Sequence, residues 1–160
     1  MLRTKFTLLF LFMLRVTSSF SQDCEKIRRE VDDMKGIVSY NSPDLKHLKL
    51  HKTFKDGQTF FRLHIVIEGN TPEYSAKGVY VKLEDGSILK DENAPISCSY
   101  IGGMSGYLIQ GILSIDDDNI DKLKSKKIIK VQLNNTSKEI GDRESEKATN
   151  YLNCMAKFEK

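Results

Sequence analysis

Three observations predict a mainly β fold: an antiparallel β-sandwich-like or α+β domain with two or three peripheral helices. Short runs rich in Val, Ile, Leu and aromatic residues alternate apolar with polar side chains. The pairs Asp56-Gly57 and Asp85-Gly86 stand between such runs, as hairpin turns require. Helical apolar spacing is confined to a few separate stretches, which leaves two or three helices at the periphery.

In chain order, Cys24 to Asp33 reads as a short helical or turn segment, because Ile27, Val31 and Met34 follow helical spacing. Gly36 permits a change of direction, and Gly36 to Tyr40 reads as a strand. If Asp56-Gly57 sets the register of the next hairpin, Leu50 faces Leu63 and Leu48 faces Ile65, with Phe54, Phe61 and Ile67 on the same side. A two-residue turn at Asp85-Gly86 likewise sets Leu83 opposite Ile88. Ile96 to Ile101 and Tyr107 to Ile115 form a third hairpin across the glycine-rich loop Gly102 to Gly106. Asp116 to Asp118 open a helix that points Ile120 and Leu123 inward and collects lysines toward its C-terminus, in the order a helix dipole favours. Ile128 to Leu133 is the last strand, Asn134 to Gly141 a polar loop, and Glu144 to Phe158 a helix with Ala148, Tyr151, Leu152 and Met155 on one stripe. That makes six or seven strands.

Residues 1–21 read as a secretory signal peptide. Arg3 and Lys5 form the positive region, Phe6 to Leu14 the apolar run, and Ser19 and Ser21 the small residues before the cut. The apolar run is about half of what a bilayer needs. Residues 22–160 then form a single secreted β-rich domain, placed outside the cell or in the periplasm. The 160-residue chain carries 25 Lys and Arg against 22 Asp and Glu, a net charge of +3. The signal segment holds three of those bases (Arg3, Lys5, Arg15) and no acid, so the exported domain balances 22 against 22. Four of the eight Phe also leave with it, and the chain has no Trp. A neutral surface poor in aromatics argues against a nucleic-acid partner, and no apolar run is long enough for a membrane span.

Export also places Cys24, Cys98 and Cys154 in an oxidising compartment. Cys98 shares the apolar face of a strand and reads as a small buried hydrophobe. Cys24 and Cys154 sit near the two ends of the exported chain, and domain termini often meet. Pairing them closes a long loop and stabilises by about 3 to 5 kcal/mol.

Lys77-Gly78-Val79-Tyr80-Val81-Lys82-Leu83-Glu84-Asp85-Gly86 and Asp116 to Leu133, with one Cys soon after the export signal and another in the last helix, resemble small exported Bacteroidetes proteins of unknown function. The resemblance implies a secreted β-rich domain and carries no catalytic residues across.

Among chemistry-bearing residues the three histidines stand out. With Asp56-Gly57 as register, His51 lies opposite Arg62, His64 opposite Lys49 and His47 opposite Val66, so all three share the outward face. Diagonal positions lie about 7 to 8 Å apart, within reach of imidazoles converging on Zn or Cu. Lys49 and Arg62 raise the cost of a dication there, and a solvated polar strand face is the alternative. Asp116 to Asp121 lacks the glycine and ligand spacing of a calcium loop and is better explained as a helix start. Gly103-Met104-Ser105-Gly106 lacks the Gly-x-Ser-x-Gly spacing of a nucleophile elbow. Asn134-Asn135-Thr136 and Asn135-Thr136-Ser137 are sequons in an exposed loop.

No catalytic set is evident, so the expected function is that of an exported, non-catalytic domain. It binds another protein or a surface glycan through a sheet face or the loops at Gly69 to Lys77 and Gly102 to Gly106. The alternative is a periplasmic metal-binding protein centred on His47, His51 and His64. A hydrolase would require a deep pocket with convergent ionisable groups.

Overall fold

The computed structural model describes residues 23–101 and 106–159. Residues 1–21, expected above to be an export signal, and Gly102 to Ser105 of the glycine-rich loop lie outside the described residues.

The strands are β1 (Arg28–Asp32), β2 (Ile37–Asn41), β3 (Leu48–Lys55), β4 (Gln58–Gly69), β5 (Lys77–Leu83), β6 (Ile88–Ile101), β7 (Gly106–Ile115), β8 (Ile128–Leu133) and β9 (Thr136–Glu139). The helices are α1 (Asp117–Ser125) and α2 (Asp142–Ala156). Nine strands form one sheet in the order β1-β2-β3-β4-β7-β6-β5-β8-β9, every pairing antiparallel. The sheet folds over at β6. The first part of this strand pairs with β5 and its last six residues, Ile96 to Ile101, pair with β7. A register shift opposite Lys77–Val79, where Gly78 has φ +104°, provides the irregularity at which such a strand changes sheets.

Alternation along β4 and β7 sends Leu63, Ile65, Ile67, Ile109 and Leu113 into a core shared with Val79, Val81, Leu83, Val131 and Leu133 of the other half. At Gly111 the two halves leave no room for a side chain. A Cβ there would lie 2.7 Å from Leu133 Cδ2 and 2.8 Å from Val79 Cγ2. Helix α2 packs Ala148, Tyr151, Leu152 and Met155 into the same cluster. Helix α1 begins at Asp116, whose side chain accepts from Asn119 N–H at 2.8 Å, and buries Ile120 and Leu123. A disulfide joins Cys24 to Cys154 with Cα atoms 5.4 Å apart across 130 residues of sequence.

The Asp56-Gly57 hairpin keeps the expected register, with Leu48↔Ile65, Leu50↔Leu63, Lys49↔His64 and His51↔Arg62. Four expectations are corrected. Cys24 to Asp33 is not helical past its first turn. Asp32 accepts from Lys35 N–H and Gly36 takes φ +63°, closing a hairpin that recruits Arg28–Asp32 as an edge strand. Val31 and Met34 are exposed there, so the helical spacing had no core to serve. Around Asp85-Gly86, Leu83 N–H donates to Ser87 O and Lys82 pairs with Ile88, so the loop has three residues and Gly86, at φ +85°, supplies the left-handed position. That one-residue slip turns Ile88 outward and Leu89 inward. Asn134 to Gly141 is not all loop: Asn134, at φ +49°, turns the chain and Thr136–Glu139 pairs with β8. The strand total is therefore nine rather than six or seven.

Candidate functional site

The three histidines do not converge. His51 and His64 meet on the outer face of β3 and β4, ring centroids 4.3 Å apart and planes at 36°. Burial, the facing His64 and the cations Lys49 and Arg62 push His51 down to about 4, with Asp44 opposing them. Burial, Lys49 and Arg62 lower His64 as well. His47 is drawn elsewhere: its backbone N–H donates to Glu144 Oε1 at 2.5 Å, and its Nδ1 contacts Val66 O at 3.1 Å. Among the described residues no group of three His, Cys, Asp or Glu is placed to hold a metal. The correction to the three-imidazole geometry is physical. Helix α2 reaches over the start of β3 with Glu144 and fixes His47 by its backbone.

A groove of about 610 Å³ adjoins the histidine pair, lined by Arg28, Asn41, Asp44, Lys49 and His51 among others. Lys49 Nζ lies 2.8 Å from Asp44 Oδ1, and that cation holds the carboxyl below its usual range. Cys98 is unpaired and half-buried, its Sγ accepting from Glu73 N–H at 3.4 Å.

The second surface lies at the end of the sandwich where the loop 70–76 meets the β6–β7 hairpin. Tyr100 and Tyr107 are cross-strand partners in that hairpin. Their ring centroids are 5.7 Å apart at 67°, and Tyr74 packs on Tyr107 from the loop at 6.2 Å and 87°. Tyr74 and Tyr100 remain 65% and 63% exposed while Tyr107 packs against the core. The loop is anchored on both halves of the sandwich. Glu73 N–H donates to Cys98 Sγ on β6, and the Glu73 carboxylate accepts from Asn134 Nδ2 at 2.6 Å and Thr136 Oγ1 at 3.1 Å. Two exposed rings are thus held at fixed angles by a third. Of the sequon asparagines, Asn134 is engaged by Glu73 and Asn135 is exposed.

Sequence reasoning named the loop from Gly69 to Lys77 but not this tyrosine group. The cross-strand register of the hairpin would have paired Tyr100 with Tyr107; Tyr74 needed the anchored loop. Gly102 to Ser105 of the other named loop lie outside the described residues. Neither a protein-family model, nor a curated protein, nor a solved structure matches the chain. The functional reading therefore rests on the geometry. No helix among the described residues is long and apolar enough to cross a membrane.

Proposed function

We propose that this chain is an exported, non-catalytic binding domain, secreted or periplasmic, that docks a glycan through Tyr74, Tyr100 and Tyr107. The observation that carries the reading is the exposure of two tyrosine rings at an end of the sandwich that the fold otherwise fixes firmly. Tyrosine combines an apolar face with a polar tip and loses little side-chain entropy on binding, and here much of that ordering is already complete. A pyranose ring presents the matching surface, an apolar C–H face bordered by hydroxyls. The export segment and the Cys24–Cys154 bridge support an extracytoplasmic setting.

Screening the disulfide-intact protein on an array of neutral glycans, beside Tyr74→Ala/Tyr100→Ala, tests the reading. Binding by the wild type that the double variant loses by tenfold or more is the expected result. Equal binding by both, or binding only to purified protein ligands printed on the same array, would overturn it.

A further inference from the structure

On the outer face, the sheet ladder aligns Arg28 of β1, Asn41 of β2, His51 of β3 and Arg62 of β4 in one row. Adjacent strands lie roughly 4.8 Å apart, so the row crosses the sheet over about 14 Å from Arg28 to Arg62. The flanking rows add Lys49 and His64 on one side, Thr53 and Phe60 on the other. Arg28, Asn41, Lys49 and His51 line the groove of about 610 Å³ described above. Lys49 is already held by Asp44, whereas neither Arg28 nor Arg62 is ion-paired among the described residues. The wall also carries Glu30, which limits the charge excess to a modest one.

We propose that this row is a second binding site, for an anionic saccharide whose carboxylate or sulfate groups are held by Arg28 and Arg62 while Asn41 and His51 hydrogen-bond its hydroxyls. A guanidinium offers a planar fork that matches an oxyanion in two bonds. Asn and neutral His each donate and accept, as a hydroxyl does. Burial and the neighbouring Lys49 and Arg62 keep both imidazoles in that neutral form at neutral pH. Phe60, 37% exposed and two residues from Arg62 on the same face, gives a sugar ring an apolar surface. An anionic bilayer fits less well, because Asp44 and Glu30 interrupt the positive field that a polybasic membrane patch requires. The site is separate from the tyrosine surface and stands or falls without it.

Titrating the disulfide-intact protein, followed by calorimetry and by the imidazole NMR signals of His51 and His64, tests the site. The probes are an oligogalacturonate, a sulfated oligosaccharide, a neutral oligosaccharide of equal length, inorganic phosphate, and phosphatidylglycerol vesicles. Either anionic saccharide should bind, shift both imidazole signals, and bind more weakly as salt is added. Arg28→Gln and Arg62→Gln should each weaken it at least tenfold, Arg28→Lys and Arg62→Lys less, and Tyr74→Ala/Tyr100→Ala not at all. Unmoved imidazole signals or unchanged affinity in both Gln variants would overturn the site. So would an equal response to inorganic phosphate, which makes it a bare anion site, or preference for the vesicles, which makes the ligand a lipid headgroup.

Discussion

Lys52 occupies a position on the apolar face of β3, between Leu50 and Phe54, and is only 4% exposed. Its Nζ donates to the carbonyls of Met155 at 2.9 Å and Phe158 at 2.6 Å, at the C-terminal end of α2, and lies 4.7 Å from the Phe54 ring centroid. The ammonium thus adds a donor to Met155 O, which also accepts from Phe158 N–H at 3.1 Å, and to Phe158 O just past the end of the helix. Burial lowers the Lys52 pKa, which marks the cost of keeping a charge there. Lys52→Met should lower stability by about 1 to 3 kcal/mol, because carbonyls lose a buried donor; denaturant unfolding measures it. An unchanged midpoint would show the clamp to be idle. His51 makes the second residue-scale prediction. Its folded value of about 4 lies below the ordinary 6.5. Between those values the unfolded chain binds more protons than the native one, so stability must fall as pH drops from 6.5 toward 4. Burial drives this, His64, Lys49 and Arg62 add to it, and Asp44 opposes it. The Tm of His51→Gln should decline less over that window than that of the wild type; parallel profiles would contradict the assignment.

At the scale of elements, Gly111 of β7 lies beneath Val79 and Leu133 with no space for a Cβ. Gly111→Ala forces a methyl into space 2.7 and 2.8 Å from these two side chains, and should cost about 1 to 3 kcal/mol in thermal or denaturant unfolding. Gly57→Ala meets no atom within 4 Å, yet φ +77° should still cost it about 1 kcal/mol. These two glycines also show what the sequence could express. Asp56-Gly57 is a local device, and from it the register of β3 and β4 and the adjacency of His51 and His64 were legible. Asp85-Gly86 was legible as a turn, but its length depended on Leu89 rather than Ile88 being drawn into the core, which no local pattern states. Gly111 carries no local signal at all, since its role comes from strands β5 and β8 crossing above it. The short helical or turn segment expected at Cys24 to Asp33 gave way for the same reason beyond its first turn, because edge pairing with β2 decided the conformation of Arg28–Asp32. The tyrosine surface was half legible: one pair lies within a hairpin, and the third ring arrives from a loop held by Glu73.

At the scale of the whole molecule, the Cys24–Cys154 bridge ties the start of the described chain to its last helix, 130 residues apart. A loop of this size stabilises by about 4 to 5 kcal/mol on chain-entropy grounds. Cys154→Ser should accordingly lower the unfolding midpoint sharply, while Cys98→Ser should leave it nearly unchanged; the reverse order would refute the assignment of roles. The fold thereby gains rigidity at both ends, and the two exposed surfaces are free to serve binding. The most direct measurement of that claim is NMR mapping of the best saccharide from the glycan array onto the disulfide-intact protein, with the saccharide recovered and analysed afterwards. Shifts centred on Tyr74, Tyr100 and Tyr107 with the saccharide returned intact are predicted. With a neutral saccharide, which the Arg28–Arg62 row does not hold, shifts elsewhere, or a cleaved product, would contradict the account.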